Sequence, residues 1–486
     1  MPPEKTLPPD DALPANDALP TNDALPANNA LPAVPNERAF RRLLVNTLVN
    51  GVTSTFLWFA LTFWVYLRTR SVVATGVIGA AFGIFGAVIG PAFGTYVDRH
   101  RKHTAMLLAS GTSVISFSIA TLTYVLAGTD AVLDLRLPWF WIVMTSTLVG
   151  SVAGNVRSVA LSTCVTLLVP AERRDKANGL VGTISGVALA MTSVFSGLVI
   201  GVLGMGWALL ISVLLTAGVL VHLTTIRFDE PEPDVSTHTG SHVDIRGALD
   251  AIHDVPGLWL LILLAAFNNL LGGVFMALVD AYGLELVSVE AWGALWMALS
   301  FVMILGGLVV ARIGLGRSPL RLILLGNLIN WIVCTVFTAQ SSIVLLAIGM
   351  AVWIGLVPMF EAAEQTVLQR AIPYQQQGRV FGFAQLVENG ASPLTALVVG
   401  PLAQTVMMPF MTDGLGARTI GSWFGTGEMR GIAVMFSVTG IIGIVVTGAA
   451  WTSRSYRRLA ASWDAGGATH EPPPFDGATS VAPGPL

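Results

Sequence analysis

Charge is scarce in this chain. Of 486 residues, 26 are Lys or Arg and 29 are Asp or Glu, 11% together, against about 25% in an ordinary soluble domain. Lysine is nearly missing: Lys5, Lys102 and Lys176 are the whole supply, and none follows a glycine. There is thus no phosphate-cradling Gly-Lys loop, and an ATP-driven pump would need its motor on another chain. A net charge of −3 offers no electrostatic footprint for nucleic acid. Cys164 and Cys334 both sit in apolar runs; they read as small buried side chains, since two cysteines make no disulfide framework. His-Glu-x-x-His, Cys-x-x-Cys and Gly-x-Ser-x-Gly are all lacking. An enzyme has no nucleophile–base pair here, and no cofactor or metal is expected. His238 and His242 are four apart, but they lie in a polar loop and read as solvated.

What the chain does have is apolar length. Hydrophobic residues make up 53%, and a membrane helix needs about 20 in a row, so the supply fills about a dozen spans. Twelve segments are predicted: 43–67, 72–97, 104–127, 139–169, 177–203, 206–226, 257–282, 291–314, 319–340, 342–371, 380–408 and 431–453. The fold class is an all-α membrane protein with 12 transmembrane helices in two pseudo-symmetric six-helix bundles, 38–226 and 257–458. A polar linker, 227–256, joins them. Residues 1–37 hold four hexads of the type Asn16-Asp-Ala-Leu-Pro-Thr21; a proline every six residues forbids a continuous helix. That segment and 459–486 read as unstructured tails, and the first lacks the basic start and apolar stretch of a signal peptide. With alternating spans, 20 of the Lys and Arg fall on the side of the two termini and five on the other, with Arg157 inside a span. By the positive-inside rule both termini are cytoplasmic, and the expected location is the cell membrane.

The two halves repeat one another. Val169-Pro-Ala-Glu-Arg-Arg-Asp-Lys-Ala-Asn-Gly-Leu180 and Ile372-Pro-Tyr-Gln-Gln-Gln-Gly-Arg-Val-Phe-Gly-Phe383 each close a long span with apolar-Pro, cross a polar turn and open the next span. They start 203 residues apart (372 − 169). Matched halves of this kind place a substrate cavity between them near the midplane.

The turn Gly94-x-x-x-Asp98-Arg99-x-x-Lys102 resembles the signature loop between helices two and three of the major facilitator superfamily. Arg101 replaces its usual glycine, and His103 its second base. The segments Val169-Pro170…Ala177-Asn178 and Gln369-Arg370-Ala-Ile-Pro373…Gln377-Gly378-Arg379-Val380-Phe381-Gly382 resemble its drug-efflux branch, of the macrolide-exporter and enterobactin-exporter type. The resemblance spans about residues 40 to 458. It implies a gate built from Gly94, Asp98, Arg99, Arg101, Lys102, Gly378 and Arg379, in which Asp98 faces the N–H groups opening the eleventh span and favours an outward-open state. The antiporter Gly-Pro bend of helix five is replaced by Thr192-Ser193-Val-Phe-Ser196-Gly197, and helix one carries no acid.

An ionised side chain at mid-bilayer costs about 3 kcal/mol or more, so each one marks a candidate site. Glu361 and Glu364 of span ten are three apart and share a face; Glu388 lies in span eleven. The 203-residue offset sets Arg157 opposite Phe360, beside Glu361. These four groups are the proton-coupling candidates, and Asp280 is an outer-rim residue. Asn46, Asn50, Asn268, Asn269 and Phe360 are candidates for lining the cavity, although amides of this kind also simply bond across helices. The functional expectation is a proton-coupled exporter of an amphipathic drug, siderophore or other metabolite, working as a single copy in the lipid bilayer with a small-molecule substrate and protons as partners. An uptake permease and a non-transporting receptor of the same fold are the alternatives.

Overall fold

Apolar segments in a bilayer must satisfy their own backbone N–H and C=O groups, which a helix does within the segment. The computed structural model describes residues 36–69, 72–134, 136–231 and 243–468, and among them there is no strand. The hexad repeats, Lys5, Arg70, Glu232, Asp234, His238 and His242 lie outside these residues.

The first half contains α1 (Glu37–Thr69), α2 (Val72–Arg99), α3 (Lys102–Leu133), α4 (Pro138–Leu168), α5 (Arg174–Val202) and α6 (Met205–Thr224). A short helix follows, α7 (Ile245–Asp254). The second half contains α8 (Leu258–Leu286), α9 (Val289–Ile313), α10 (Pro319–Val336), α11 (Ile343–Ala371) and α12 (Gln377–Leu402). After a π turn at Ala403–Met407 come α13 (Met408–Thr412), α14 (Leu415–Thr419) and α15 (Gly421–Phe424), then α16 (Glu428–Thr452) and α17 (Arg454–Ala468).

Local chemistry sets many of these ends. Pro138 and Pro319 open α4 and α10, where the missing N–H leaves no bond unmade. Gly204 and Gly314, with φ of 83° and 80°, end α5 and α9 in a conformation that a Cβ disfavours. The long helices overlap the twelve predicted segments. Nine of them are long and apolar enough to cross a membrane, among the described residues. Helices α2, α5 and α12 run along the contact between the halves.

The packing repeats as the sequence does. The pairs α3–α4, α1–α5, α3–α6, α1–α6 and α2–α4 recur as α10–α11, α8–α12, α10–α16, α8–α16 and α9–α11. Between the halves the most extensive pairs are α2–α12 and its mate α5–α9, followed by α5–α11 and its mate α4–α12. The repeated turns share one geometry. Pro170 and Pro373 have the same extended backbone (φ −55° in both), and each leads into a 3-10 turn, Ala171–Arg173 and Tyr374–Gln376, before the next helix. Both turns lie on one end of the bundle, called here the basic face for its Arg-rich turns.

Two segments differ from the polar linker and tail predicted around them. The linker contains α7, amphipathic through Ala248, Ala251 and Ile252, all buried. The chain is helical to Ala468 rather than unstructured from about Ala460, because Leu459 is buried and Trp463 packs on Arg370 at 4.1 Å.

Candidate functional site

At the basic face α2 ends on α12. The side chain of Asp98, 3% exposed, accepts from the backbone N–H of Gly378 (2.7 Å) and Arg379 (2.9 Å) and from Arg379 Nε (3.2 Å). These are the first orphan donors of a helix, so a carboxylate meets both hydrogen bonds and the positive end of the dipole. A Cβ at Gly94 would fall closer than 3.0 Å to Gly378 O, and one at Gly382 would do the same to Gly90 O. Gly90 and Gly94 therefore face Gly378 and Gly382 backbone to backbone.

The structure brings Gly94, Asp98, Gly378 and Arg379 together and sets the other three gate candidates around them. Lys102 is buried; its Nζ donates to Val97 O at 2.8 Å and lies 5.1 Å over the Tyr374 ring. Arg99 is half-buried, and Arg101 is exposed just ahead of α3.

Sequence reasoning assigned no role to several residues of this face. Asp244 caps α7, accepting from Gly247 N (2.9 Å), and also takes Arg379 Nη1 at 2.6 Å. Its own N–H donates to Thr95 Oγ1 (3.0 Å). The linker helix is thereby tied to both gate helices. Glu230 accepts from the N–H groups of Lys102 and His103 and caps α3; burial pushes its carboxyl up from the ordinary value, and these hydrogen bonds oppose the shift.

The mate crossing is built differently. Gly179 and Gly307 each leave no room for a Cβ against Ala311 and Thr183. Asp175 Oδ2 accepts from Leu315 N at 2.9 Å. Asn178 Nδ2 donates to Thr366 Oγ1 and Gln369 Oε1, both at 3.0 Å, and Gln369 Nε2 donates to Ser162 O (3.0 Å). Among the described residues, every hydrogen bond observed between the helices of the two halves lies toward the basic face.

Farther in, Glu361 and Glu388 each sit about 15 Å from the basic ends of their helices, at 1.5 Å per residue. Glu364 and Glu388 bring their carboxyls within hydrogen-bonding reach, and Glu361 is close enough to interact with both. No described cation lies within ion-pair distance of the three. Glu361, Asn269 and Asn389 are exposed at this depth, polar groups at a level where lipid-facing positions are apolar.

Arg157 is elsewhere. It is 2% exposed, donates to Ser110 Oγ (2.6 Å) and to Asn46 Oδ1, and has no described carboxylate within ion-pair distance. Pseudo-symmetry matched its depth to that of Glu361 but not its direction: α4 turns this residue into its own half, toward α1 and α3. The same network takes Asn46, whose Nδ2 donates to Val219 O (2.8 Å) and contacts His222 Nδ1 (3.2 Å). Asn50 is buried against α4. Asn268 bonds Asn327 Oδ1 (3.1 Å) and accepts from Trp331 Nε1 (3.2 Å). Phe360 packs on Gly326. Of the five cavity candidates, Asn269 alone is exposed. Asp280 accepts from Trp292 Nε1 and Trp296 Nε1 (2.9 and 3.1 Å).

Two matched helical halves thus meet at glycine crossings around a polar mid-depth region, the architecture of a multi-pass membrane protein. The family model described as Major Facilitator Superfamily matches residues 43–396, and the chain belongs to that family. Macrolide efflux protein A of Streptococcus pyogenes is 21% identical over 372 residues, covering 76% of this chain and 90% of the relative. Human solute carrier family 67 member A1 is 22% identical, over 69% of this chain and 79% of its own. Among solved structures, a bacterial homologue of the iron transporter ferroportin in its outward-facing state superposes with a TM-score of 0.66 at 14% identity, over 86% of this chain and all of that one. The human organic anion transporter MFSD10 (TETRAN) gives 0.63 at 13% identity, over 85% and 99%. At these identities the likeness is one of fold.

Proposed function

We infer that the chain exports an amphipathic small molecule in exchange for protons, by alternating access through twelve membrane-crossing helices with both termini in the cytoplasm. The observation that carries this reading is the carboxyl cluster Glu361–Glu364–Glu388, set at mid-depth with no counter-cation among the described residues and with Glu361 exposed. Three carboxylates at such distances repel one another, and a proton shared between Glu364 and Glu388 relieves that repulsion. Binding and release of a proton therefore change the electrostatics of the region where the halves part.

The basic face is the cytoplasmic gate on this account. Its many contacts between halves support an outward-open arrangement. Asp98 is the latch, and its release opens the inner side. The names of the macrolide efflux relatives support export over uptake. Asn269 and Glu361 line the substrate's path, while Arg157, Asn46 and Asn50 hold the first half together.

The test is proton flux driven by substrate in vesicles that contain Glu361→Gln, Glu364→Gln or Glu388→Gln. At least one of the three should uncouple proton movement from export while the protein remains inserted and folded. Full coupling in all three variants would remove protons from the mechanism.

A further inference from the structure

Helix α17 grips the two segments of the second half that fasten α5. Ser453 caps it, accepting from Tyr456 N–H at 3.1 Å. The helix packs on α8 and α16. Leu459 is buried, and Gly257, at the corner before α8 with φ of 88°, leaves no room for a Cβ against Ser455 O. These contacts seat α17 on the basic end of the second half, where Trp463 reaches two neighbours.

The indole Nε1 donates to Arg317 O at 3.0 Å, in the turn between α9 and α10. The guanidinium of Arg370, near the end of α11, lies 4.1 Å over the indole ring, and its Nη2 donates to Trp463 O at 3.2 Å. A cation over the ring and a charge-assisted hydrogen bond together hold α11 to α17. Each contact is close in sequence to a bond between the halves. Two residues before Arg317, Leu315 N–H donates to Asp175 of α5. One residue before Arg370, Gln369 accepts from Asn178 of α5. The α9–α10 turn cannot fix Leu315 by itself: it is flanked by Gly314 and Gly316, both at positive φ (80° and 69°), where the backbone has the widest choice of conformations.

We propose that Trp463 is a positioning residue for the α5–α9 crossing, a brace that holds Leu315 N–H and the Gln369 side chain in register for Asp175 and Asn178. The proposal rests on the basic face being a gate. Its test uses distances read without substrate or proton flux, so failure of the transport reading would appear separately, in the flux assay. Pairs of spin labels on the full chain in lipid nanodiscs report two separations, from the α9–α10 turn to the end of α11 and from that turn to the start of α5. Trp463→Leu should broaden the first and raise the parted fraction in the second about fivefold, the change expected for one lost hydrogen bond. Trp463→Phe keeps a ring under Arg370 and loses the bond to Arg317 O; it should give a smaller change of the same sign, and it serves if the leucine variant folds poorly. In a chain that carries Asp175→Ala and Asn178→Ala, Trp463→Leu should add little to the second separation, because the bonds it positions are gone. An unchanged first separation overturns the brace. An unchanged second one, or an equal increment without Asp175 and Asn178, overturns its role at the crossing.

Discussion

The two crossings between the halves occupy equivalent places and are fastened by different chemistry. Where α2 meets α12, a buried carboxylate caps a helix and pairs with Arg379, which in turn reaches Asp244. Where α5 meets α9, the fastening is a backbone N–H on Asp175 together with a neutral Asn178–Gln369–Thr366 network toward α11. Glycine brings the backbones together at both. Shape is thus symmetric and charge is not. A crossing held by a buried ion pair is strongly weakened by loss of either partner, whereas at the other the Asp175 carboxylate is half-buried and takes a single backbone N–H, and the amide network beside it yields in steps of about 1 kcal/mol. The α2–α12 crossing is the one suited to being switched, and the α5–α9 crossing to acting as its hinge.

The comparison can be broken at four points of decreasing force. Gly94→Val places a side chain against the Gly378 backbone, which cannot move aside; overpacking of this kind costs about 2–3 kcal/mol, about a hundredfold against the closed gate. Distances between spin labels on the basic ends of α2 and α12 should show it open, and transport should collapse. Asp98→Asn keeps the shape and removes the charge. A loss of about 2 kcal/mol, roughly thirtyfold in population, should appear as labelling of a cysteine beneath the gate. Asp175→Ala should cost about 1 kcal/mol, near fivefold, in the same assay; an effect as large as that of Asp98→Asn would erase the distinction between the crossings. Asp244→Ala breaks a partly exposed pair and should cost less than about 1 kcal/mol. A larger loss would make the linker helix part of the latch itself.

How much of this was legible depended on the kind of signal. Long apolar runs gave the long helices, because a bilayer leaves the backbone no other choice, and the 203-residue repeat anticipated two turns of one geometry. The loop Gly94-x-x-x-Asp98 was readable because its parts are local in sequence and its partner N–H groups belong to any helix start. The direction of Arg157 was not, since depth follows from counting residues along a helix but facing depends on rotation and on neighbours such as Ser110 and Asn46. Helix α7 did leave a trace: Asp244 as a cap, then Ile245, Ala248, Leu249 and Ile252 at helical spacing. Its ten residues are too short to stand out against spans three times that length. Asn178 and Gln369 stood in the quoted motifs, but only packing shows that they bond each other.

The glycine seams bear on speed. A boundary closed by main chain against main chain has few long side chains whose rotamers must freeze on meeting or scatter on parting, and such freezing commonly takes up to about 1.5–2 kcal/mol per residue. On the alternating access proposed above, opening and shutting at Gly90–Gly382 and Gly179–Ala311 exchanges little conformational disorder, which leaves the rate of each stroke to the ionic fastener at Asp98.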